Sequence, residues 1–168
     1  MEKVAIFVDG SYLFHMFGRV AVKARIDYFK LARELAAGRE LVKSFYYAAV
    51  TVPPKETQVR FHYALTSLGF KVVTIPLKTR GEFFLEKGVD VALTVDMLSM
   101  AFSNVYDVAV LVSGDGDFAR AVLEVGKLEK KVEIAAFEES VASELRTAAS
   151  KFVSLNSLFD KIAFEKQA

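Results

Sequence analysis

The chain has 168 residues and no cysteine, with 53% hydrophobic residues, 26% charged residues and a formal net charge of +1. This composition predicts one globular domain over residues 1–168 and excludes a disordered chain, a disulfide scaffold and a thiolate metal site. No apolar run reaches the roughly eighteen residues of a membrane span, and no secretory leader precedes the first strand, so we expect a cytoplasmic protein.

The first half of the chain alternates apolar strands with helical patterns. Val4 to Val8 is a wholly apolar run, typical of a buried strand, and it ends in Asp9-Gly10-Ser11 before a helix begins at Tyr12. Asp27 is placed to cap a helix that ends at Ala36. The next segments are predicted as a strand over 43–50, a helix over 57–68, a strand over 70–75 and a polar loop over 77–86.

The second half continues this alternation. The helix predicted over 89–102 is apolar on too many sides for an exposed helix, so we expect it to be largely buried. Val108 to Val112 is a second wholly apolar strand, and a helix follows from Phe118. The remaining segments are predicted as a strand over 131–137, a helix capped by Ser140 that ends at 149, an edge strand over 152–155 and a helix capped by Asn156 that ends at 164. The order predicts a three-layer α/β/α Rossmannoid fold with a mostly parallel sheet of five or six strands.

Acidic side chains follow the two most hydrophobic strands. Asp9 ends the first of them, and Asp115 and Asp117 come directly after the second. In a doubly wound sheet these strands are expected to be adjacent and central, which would bring the carboxylates to one crevice. Carboxylates at short range repel each other unless a cation neutralises them, and hard divalent metals bind such oxygens. A simpler interpretation is that one aspartate only caps the following helix.

The helix predicted over 89–102 carries two further acids. Asp90 stands at its start, where a carboxylate also suits the helix dipole. Asp96 lies roughly 120° around the helix and about 9 Å along it from Asp90, so both acids cannot easily bind one ion directly. We therefore expect Asp90 to be a ligand and Asp96 to be a supporting or fold-stabilising acid. His15 and His62 lack a histidine partner at ligand spacing, which favours surface or structural roles.

Three segments occur in an order and at a spacing that resemble a known family. They read FVDGSYLF, EKGVDVALTVDML and VLVSGDGDF, and the later segment LRTAASKFVSL resembles the end of the same domain. Together they resemble the NYN domain, in its LabA-like branch, which is related to PIN-domain nucleases. The resemblance implies a PIN-like fold and a metal-dependent ribonuclease, expected to be an endonuclease. The implied site residues are the catalytic and metal-binding acids Asp9, Asp90, Asp115 and Asp117, with Ser11, Ser113 and Asp96 in support.

The mechanism expected from such a site uses one or two Mg²⁺ or Mn²⁺ ions to neutralise a phosphodiester and activate a water molecule. Single-stranded RNA is the expected partner. The sequence leaves open whether the protein forms a homodimer. Substrate contacts are predicted at Tyr12, Lys78 and Arg80, with Phe14, Arg19, Lys23 and Arg25 as further candidates. Each basic side chain can equally be ordinary solvated surface. Tyr12 stands where family members commonly have Asn, which leaves a binding-only role as the main alternative.

Two enzyme classes are weaker alternatives. Gly114-x-Gly116-x-x-Ala119, with Glu138 about twenty residues later, matches a dinucleotide-binding fingerprint formally. Asp115 and Asp117 would then face the pyrophosphate, and Asp9 and Asp90 would have no role. A haloacid-dehalogenase-like phosphatase needs a second aspartate two positions after Asp9, and that position is Ser11.

Overall fold

A six-stranded parallel sheet forms the centre of the protein, whose computed structural model describes residues 1–20 and 24–165. Its strands are β1 (Lys3–Asp9), β3 (Glu40–Val50), β4 (Lys71–Pro76), β7 (Val108–Val112), β8 (Lys131–Ala136) and β9 (Lys151–Ser154). They lie in the order β4-β3-β1-β7-β8-β9, and every neighbouring pair is parallel. The predicted α/β fold class is therefore confirmed.

Helices cover both faces of this sheet. They are α1 (Gly10–Val20), α2 (Tyr28–Ala36), α3 (Glu56–Ser67), α4 (Val89–Phe102), α5 (Ala119–Lys127), α6 (Ser143–Ala148) and α7 (Leu155–Ile162). Side chains of α1, α2, α3 and α7 share one apolar core with the sheet, and side chains of α4, α5 and α6 share the other. No helix among the described residues combines the length and apolar character that a membrane crossing needs.

The two apolar strands recognised in the sequence are neighbours at the centre of the sheet. Val4 to Val8 of β1 pair in parallel with Val108 to Val112 of β7, and all ten of these residues are fully buried. The chain builds the β3–β4 side after β1 and the β8–β9 side after β7. The boundary between β1 and β7 is thus the switch point at which open α/β sheets bind ligands, and the carboxyl ends of both strands meet there.

Two small antiparallel sheets were not predicted. The polar loop expected over 77–86 is wrong, because β5 (Lys78–Arg80) and β6 (Phe83–Leu85) pair as a hairpin. Three-residue strands on either side of a turn are too short for sequence alternation to reveal. The second small sheet pairs β2 (Ala24–Ile26) with β10 (Ala163–Glu165), so Phe164 lies in a strand and not at the end of the last helix.

Two predicted helix caps are also wrong. The helix assigned to Ser140 begins at Ser143, and the Ser140 hydroxyl instead lies 2.6 Å from the Tyr12 hydroxyl. The last helix is capped by Ser154, whose hydroxyl accepts a hydrogen bond from the Ser157 backbone N–H at 3.3 Å. Asn156 lies inside that helix and contacts the loop after β8. The residue before α6 is Ala142, which forms no side-chain cap, and both predicted capping side chains are used in tertiary contacts instead.

Helix α4 is less buried than its composition predicts. Val89, Leu93, Met97 and Ala101 face the core, whereas Val91, Val95 and Phe102 are exposed, at 60%, 56% and 81%. The expectation of a largely buried helix is therefore wrong for the outer face. The inner face still holds the helix against the sheet and places its N-terminus at the switch point.

An ion pair below the sheet links the loop before β3 to β8. Arg39 donates to both oxygens of Glu133 at 2.8 and 2.9 Å, and Glu133 is buried. Arg39 also donates to the carbonyls of Leu35 and Ala36 at the end of α2. This bidentate geometry compensates the desolvation of the Glu133 carboxylate.

We expect Arg39→Ala to destabilise the fold by about 3 kcal/mol, the lower end of the range for a broken buried pair, because it leaves Glu133 charged and unpaired. Urea unfolding measures this, with Arg33→Ala as the control, since Arg33 is an exposed arginine of α2 that pairs with Glu34 and not with Glu133. Equal losses of stability in both variants would contradict the assignment.

Candidate active site

The candidate site begins where β1 and β7 end. Val8 and Val112 form the last residue pair between these two strands. Asp9 and Ser113 are therefore the next residues on neighbouring strands. The Ser113 hydroxyl donates to Asp9 Oδ2 at 3.0 Å, and it accepts a hydrogen bond from the Asp115 backbone N–H at 3.2 Å. One buried hydroxyl therefore fixes Asp9 relative to the loop after β7.

The glycine after Asp9 is required by close packing. A Cβ atom at Gly10 would lie 2.5 Å from the Tyr46 ring carbon Cζ and 2.6 Å from the Tyr47 carbonyl oxygen. Both neighbours belong to β3, the strand that pairs with β1 on its other side. The Asp-Gly pair therefore lets α1 begin directly against the sheet and turns Asp9 toward the switch point.

Asp9 is held in a buried position by two hydrogen bonds. Its Oδ1 accepts from the Tyr12 backbone N–H at 3.3 Å, in the manner of a helix cap, and its Oδ2 accepts from Ser113. Burial raises the pKa of Asp9 above the ordinary value of 3.8, the two hydrogen bonds oppose this rise, and the charges of Glu86 and Asp115 add to it. An ionised carboxylate has about four acceptor sites, so Asp9 keeps acceptor capacity for a cation.

Asp115 and Asp117 occupy different positions in the loop after β7. Asp115 Oδ1 accepts from the Asp117 backbone N–H at 2.9 Å and caps the short 3₁₀ turn Gly116–Phe118 that precedes α5. The simpler interpretation, in which one aspartate caps the following helix, thus describes part of what Asp115 does. Asp117 is exposed and does not line the cavity beside Asp9.

A cavity of about 650 Å³ opens at this edge of the sheet. Its acidic lining residues are Asp9, Glu86, Asp90 and Asp115. His15 is also in the lining, and no Lys or Arg of the described chain is. The structure therefore brings three of the four predicted acids to one cavity, whose lining contains no described lysine or arginine.

Glu86 is the site residue that the sequence analysis missed. It follows β6 directly, and its Oε2 accepts a hydrogen bond from the Ser11 hydroxyl at 3.1 Å. The only signal in the sequence is weak, because Glu86 is simply an acid four residues before Asp90 at the entry to a helix. His15, assigned to a surface or structural role, is exposed at the cavity.

Asp96, Lys78, Arg80 and Arg25 lie outside the cavity lining, whereas Ser11 and Tyr12 belong to it. Asp96 accepts a hydrogen bond from the Tyr47 hydroxyl at 2.9 Å, as expected for a supporting acid, while Lys78 and Arg80 are exposed on β5. Arg25 packs its guanidinium 5.2 Å from the centre of the Phe164 ring. The Arg19 side chain and Lys23 lie outside the described residues.

Tyr12 lines the cavity and joins it to the loop after β8. Its hydroxyl accepts a hydrogen bond from the Phe137 backbone N–H at 2.9 Å and lies 2.6 Å from the Ser140 hydroxyl. Burial raises the pKa of the Tyr12 phenol, so the group stays protonated at neutral pH. Tyr12 therefore has a structural role, and one edge of its ring lines the cavity.

The donor set suits a hard cation, although its acids are not closely grouped. Among residues 1–20 and 24–165, no three acidic or histidine side chains stand close enough together to enclose one ion. Mg²⁺ commonly keeps several water ligands and needs only one or two carboxylates from the protein. Asp9 and Asp115, joined through Ser113, provide two such carboxylates in one cavity.

The glycines after β7 are covered by protein. A Cβ atom at Gly114 would lie 2.9 Å from Tyr12 Cε2 and closer still to the Ser140 carbonyl oxygen, while the Gly114 carbonyl accepts from the Ala142 N–H at 2.9 Å. A dinucleotide fingerprint needs this backbone open to a pyrophosphate. The packing contradicts the dinucleotide-binding alternative.

Comparisons with known proteins agree with this fold. The model of the NYN domain family matches residues 3–156. The chain is 29% identical over 167 residues to the low amplitude and bright protein LabA of Synechococcus elongatus, covering 94% of this chain and 86% of that protein. A crystal structure of a protein of unknown function from Vibrio parahaemolyticus superposes with a TM-score of 0.81 at 26% identity, covering 97% and 96% of the two chains.

We expect Ser113→Ala to raise the pKa of Asp9 further, because the serine hydroxyl stabilises the ionised form. A raised native pKa means that the native state binds more protons than the unfolded chain, so stability falls as the pH rises through the window above 3.8. Carboxyl ¹³C NMR titration without metal measures the pKa. Ser11→Ala is the control, since Ser11 donates to Glu86, and an unchanged Asp9 titration in Ser113→Ala would contradict the assignment.

Proposed function

We propose that this chain, which belongs to the NYN domain family, is a metal-dependent ribonuclease that cleaves single-stranded RNA. The match over residues 3–156 and the likeness to LabA confirm the family and the LabA-like branch predicted from the three sequence motifs. The observation that carries the proposal is the cavity at the switch point, where four acidic side chains lie without a described lysine or arginine.

The charge of this cavity favours a cation and a phosphate together. A phosphodiester is an anion, so an uncompensated acidic cavity repels it in the absence of a positive ion. Desolvation makes that repulsion stronger around Asp9, which is the most buried of the four acids. A cation held by the carboxylates converts the same cavity into a phosphate site.

The chain's own residues divide the work by position. Asp9 and Asp115 are proposed as the direct ligands of Mg²⁺ or Mn²⁺, because both line the cavity and Ser113 connects the Asp9 carboxylate to the Asp115 backbone. Asp90 and Glu86 line the same cavity from the segment that enters α4, and would bind water of the ion's hydration shell. When bound there, such an ion supplies charge neutralisation, an activated water and stabilisation of the leaving oxygen.

A second candidate function is an RNA-binding module with little or no catalysis. The spacing of the acids favours it, since no three of them form a closed ligand group in the described chain. Tyr12 at the usual Asn position favours it as well, because a phenol bonded to the loop after β8 replaces an amide. RNA binding without cleavage in Mn²⁺ would identify this function.

We expect the purified protein to cleave single-stranded RNA in Mg²⁺ or Mn²⁺ and to lose this activity in EDTA. Asp9→Asn and Asp115→Asn should each reduce cleavage by more than the about 10–100-fold that loss of a supporting group costs. A circular RNA substrate tests endonucleolytic cleavage, because it has no ends.

The matched control for these variants is Asp160→Asn, which removes an exposed carboxylate of α7. Cleavage at the wild-type rate by Asp9→Asn or Asp115→Asn at saturating metal would refute the role of that residue. Loss of activity in all three variants would point to a general effect of charge.

Asp117→Asn separates the two acids after β7. The substitution keeps the backbone N–H that donates to Asp115, and Asp117 does not line the cavity. We therefore expect a smaller loss of cleavage than in Asp115→Asn, and the same rise in melting temperature on adding Mn²⁺ as in the wild type. A loss equal to that of Asp115→Asn, with no metal response, would make Asp117 a ligand after all.

A further inference from the structure

The hairpin formed by β5 and β6 is an exposed arm beside the cavity. Its strands pair only with each other, in a two-stranded sheet separate from the central one. All of its residues are exposed, including the large apolar side chains of Phe83 at 76%, Phe84 at 64% and Leu85 at 43%. Three consecutive apolar residues therefore stand outside both cores of the protein.

The strand register places cations and a ring on one face of this arm. Lys78 is paired with Leu85, and Arg80 is paired with Phe83. Directly paired residues of an antiparallel ribbon point to the same side, and the side alternates along each strand. One face therefore carries Lys78, Arg80 and Phe83 together, while Phe84 belongs to the opposite face.

Fold stability does not explain this composition. An isolated two-stranded hairpin has only marginal stability in water. Aromatic rings that remain exposed contribute little free energy to folding, because little of their apolar area is buried. Exposed apolar side chains in a row are also an aggregation hazard unless they serve binding. The composition indicates a partner that contacts both an aromatic face and cations.

The arm leads directly into the cavity. Glu86, the residue after β6, lines the cavity and is bonded to Ser11 of α1. Asp90 follows four residues later in the first turn of α4. The arm therefore adjoins the cavity that Asp9 and Asp115 line.

We propose that this hairpin is an arm that binds single-stranded RNA, with a base stacked on Phe83 and phosphates bound by Lys78 and Arg80. The proposal rests on the proposed ribonuclease function and names the surface that holds the strand. Stacking requires an unpaired base, which is why a single strand suits the arm. The cations supply the attraction that the acidic cavity alone denies to a polyanion.

Binding measured in EDTA isolates the arm from the metal site. The probe is a single-stranded RNA that carries 2-aminopurine. Its fluorescence anisotropy reports binding, and the quenching of its fluorescence reports stacking of the base. Phe83→Ala and Phe83→Leu should each weaken binding about tenfold or more and abolish the quenching, whereas Phe83→Tyr keeps both. Phe102→Ala, which removes a similarly exposed ring from α4, should bind as the wild type does.

The charges are tested by the salt dependence of binding. The double variant Lys78→Ala/Arg80→Ala should reduce the slope of log K against log salt by about 1.4, from about 0.7 per phosphate contact on a single strand. An unchanged slope would mean that Lys78 and Arg80 are ordinary solvated surface residues, and it would refute the proposed phosphate contacts.

The remaining outcomes distinguish an RNA-binding arm from an arm that does not bind RNA and from one that binds a second copy of the chain. Undiminished RNA binding and quenching in Phe83→Ala would overturn the proposal, and so would wild-type binding by Phe83→Leu, because leucine keeps the apolar surface without a ring. A wild-type dimer that becomes a monomer in Phe83→Ala, with RNA binding unchanged, would make the arm a surface for a second copy. Light scattering measures this directly.

Cleavage assays keep this proposal distinct from the ribonuclease proposal. In Mn²⁺, Phe83→Ala should raise KM without lowering kcat, because the arm holds the strand and does not touch the reacting phosphate. If the wild type does not cleave, the EDTA binding data still decide the role of the arm. If the wild type cleaves and Phe83→Ala has an unchanged KM, the proposed role of the arm is refuted and the ribonuclease proposal is not.

Discussion

The hydrogen bond from Ser113 to Asp9 is the contact on which the site depends, because it joins the two strands that flank the switch point. Parallel pairing of β1 with β7 brings the ends of both strands to the same height, and Gly10 lets α1 start without displacing Asp9. The same serine accepts from the Asp115 N–H, so the loop after β7 is positioned by the residue that positions Asp9. The Ser113 hydroxyl, at the end of a fully apolar strand pair, therefore positions the polar residues of the candidate binding site.

The sequence was most informative where one physical cause dominates. Five consecutive apolar residues in β1 and again in β7 have only one stable location, the middle of a covered parallel sheet, and their adjacency follows from it. Asp9, Asp115 and Asp117 were assigned to one crevice for the same reason, and Asp9 and Asp115 line the cavity while Asp117 does not. Asp90 was assigned from its place at the start of a helix and from the family resemblance. The hairpin, Glu86 and the contacts of Tyr12 could not be predicted, since each depends on residues far apart in the chain. Ser140 and Asn156 illustrate this limit, because a good capping side chain was present and tertiary contacts used it otherwise.

The protein also carries features that its own stability does not require. Asp9 is kept in a buried position that raises its pKa, although an asparagine would avoid the cost of desolvating a charge. The arm exposes Phe83 and Phe84. Departures of this kind are expected at functional surfaces. The acidic cavity and the adjoining arm are neighbours along the chain and in the fold, so one ligand can account for both.

Anomalous diffraction from crystals soaked in Mn²⁺ tests the central claim most directly. The account predicts a peak in the cavity between the carboxylates of Asp9 and Asp115, at about 2.0–2.2 Å from at least one of their oxygens. Data from Asp9→Asn crystals treated in the same way should lose that peak and keep the fold. A cavity without anomalous density at saturating Mn²⁺, or a peak bound only by Asp117 or by acids elsewhere on the surface, would contradict the metal site.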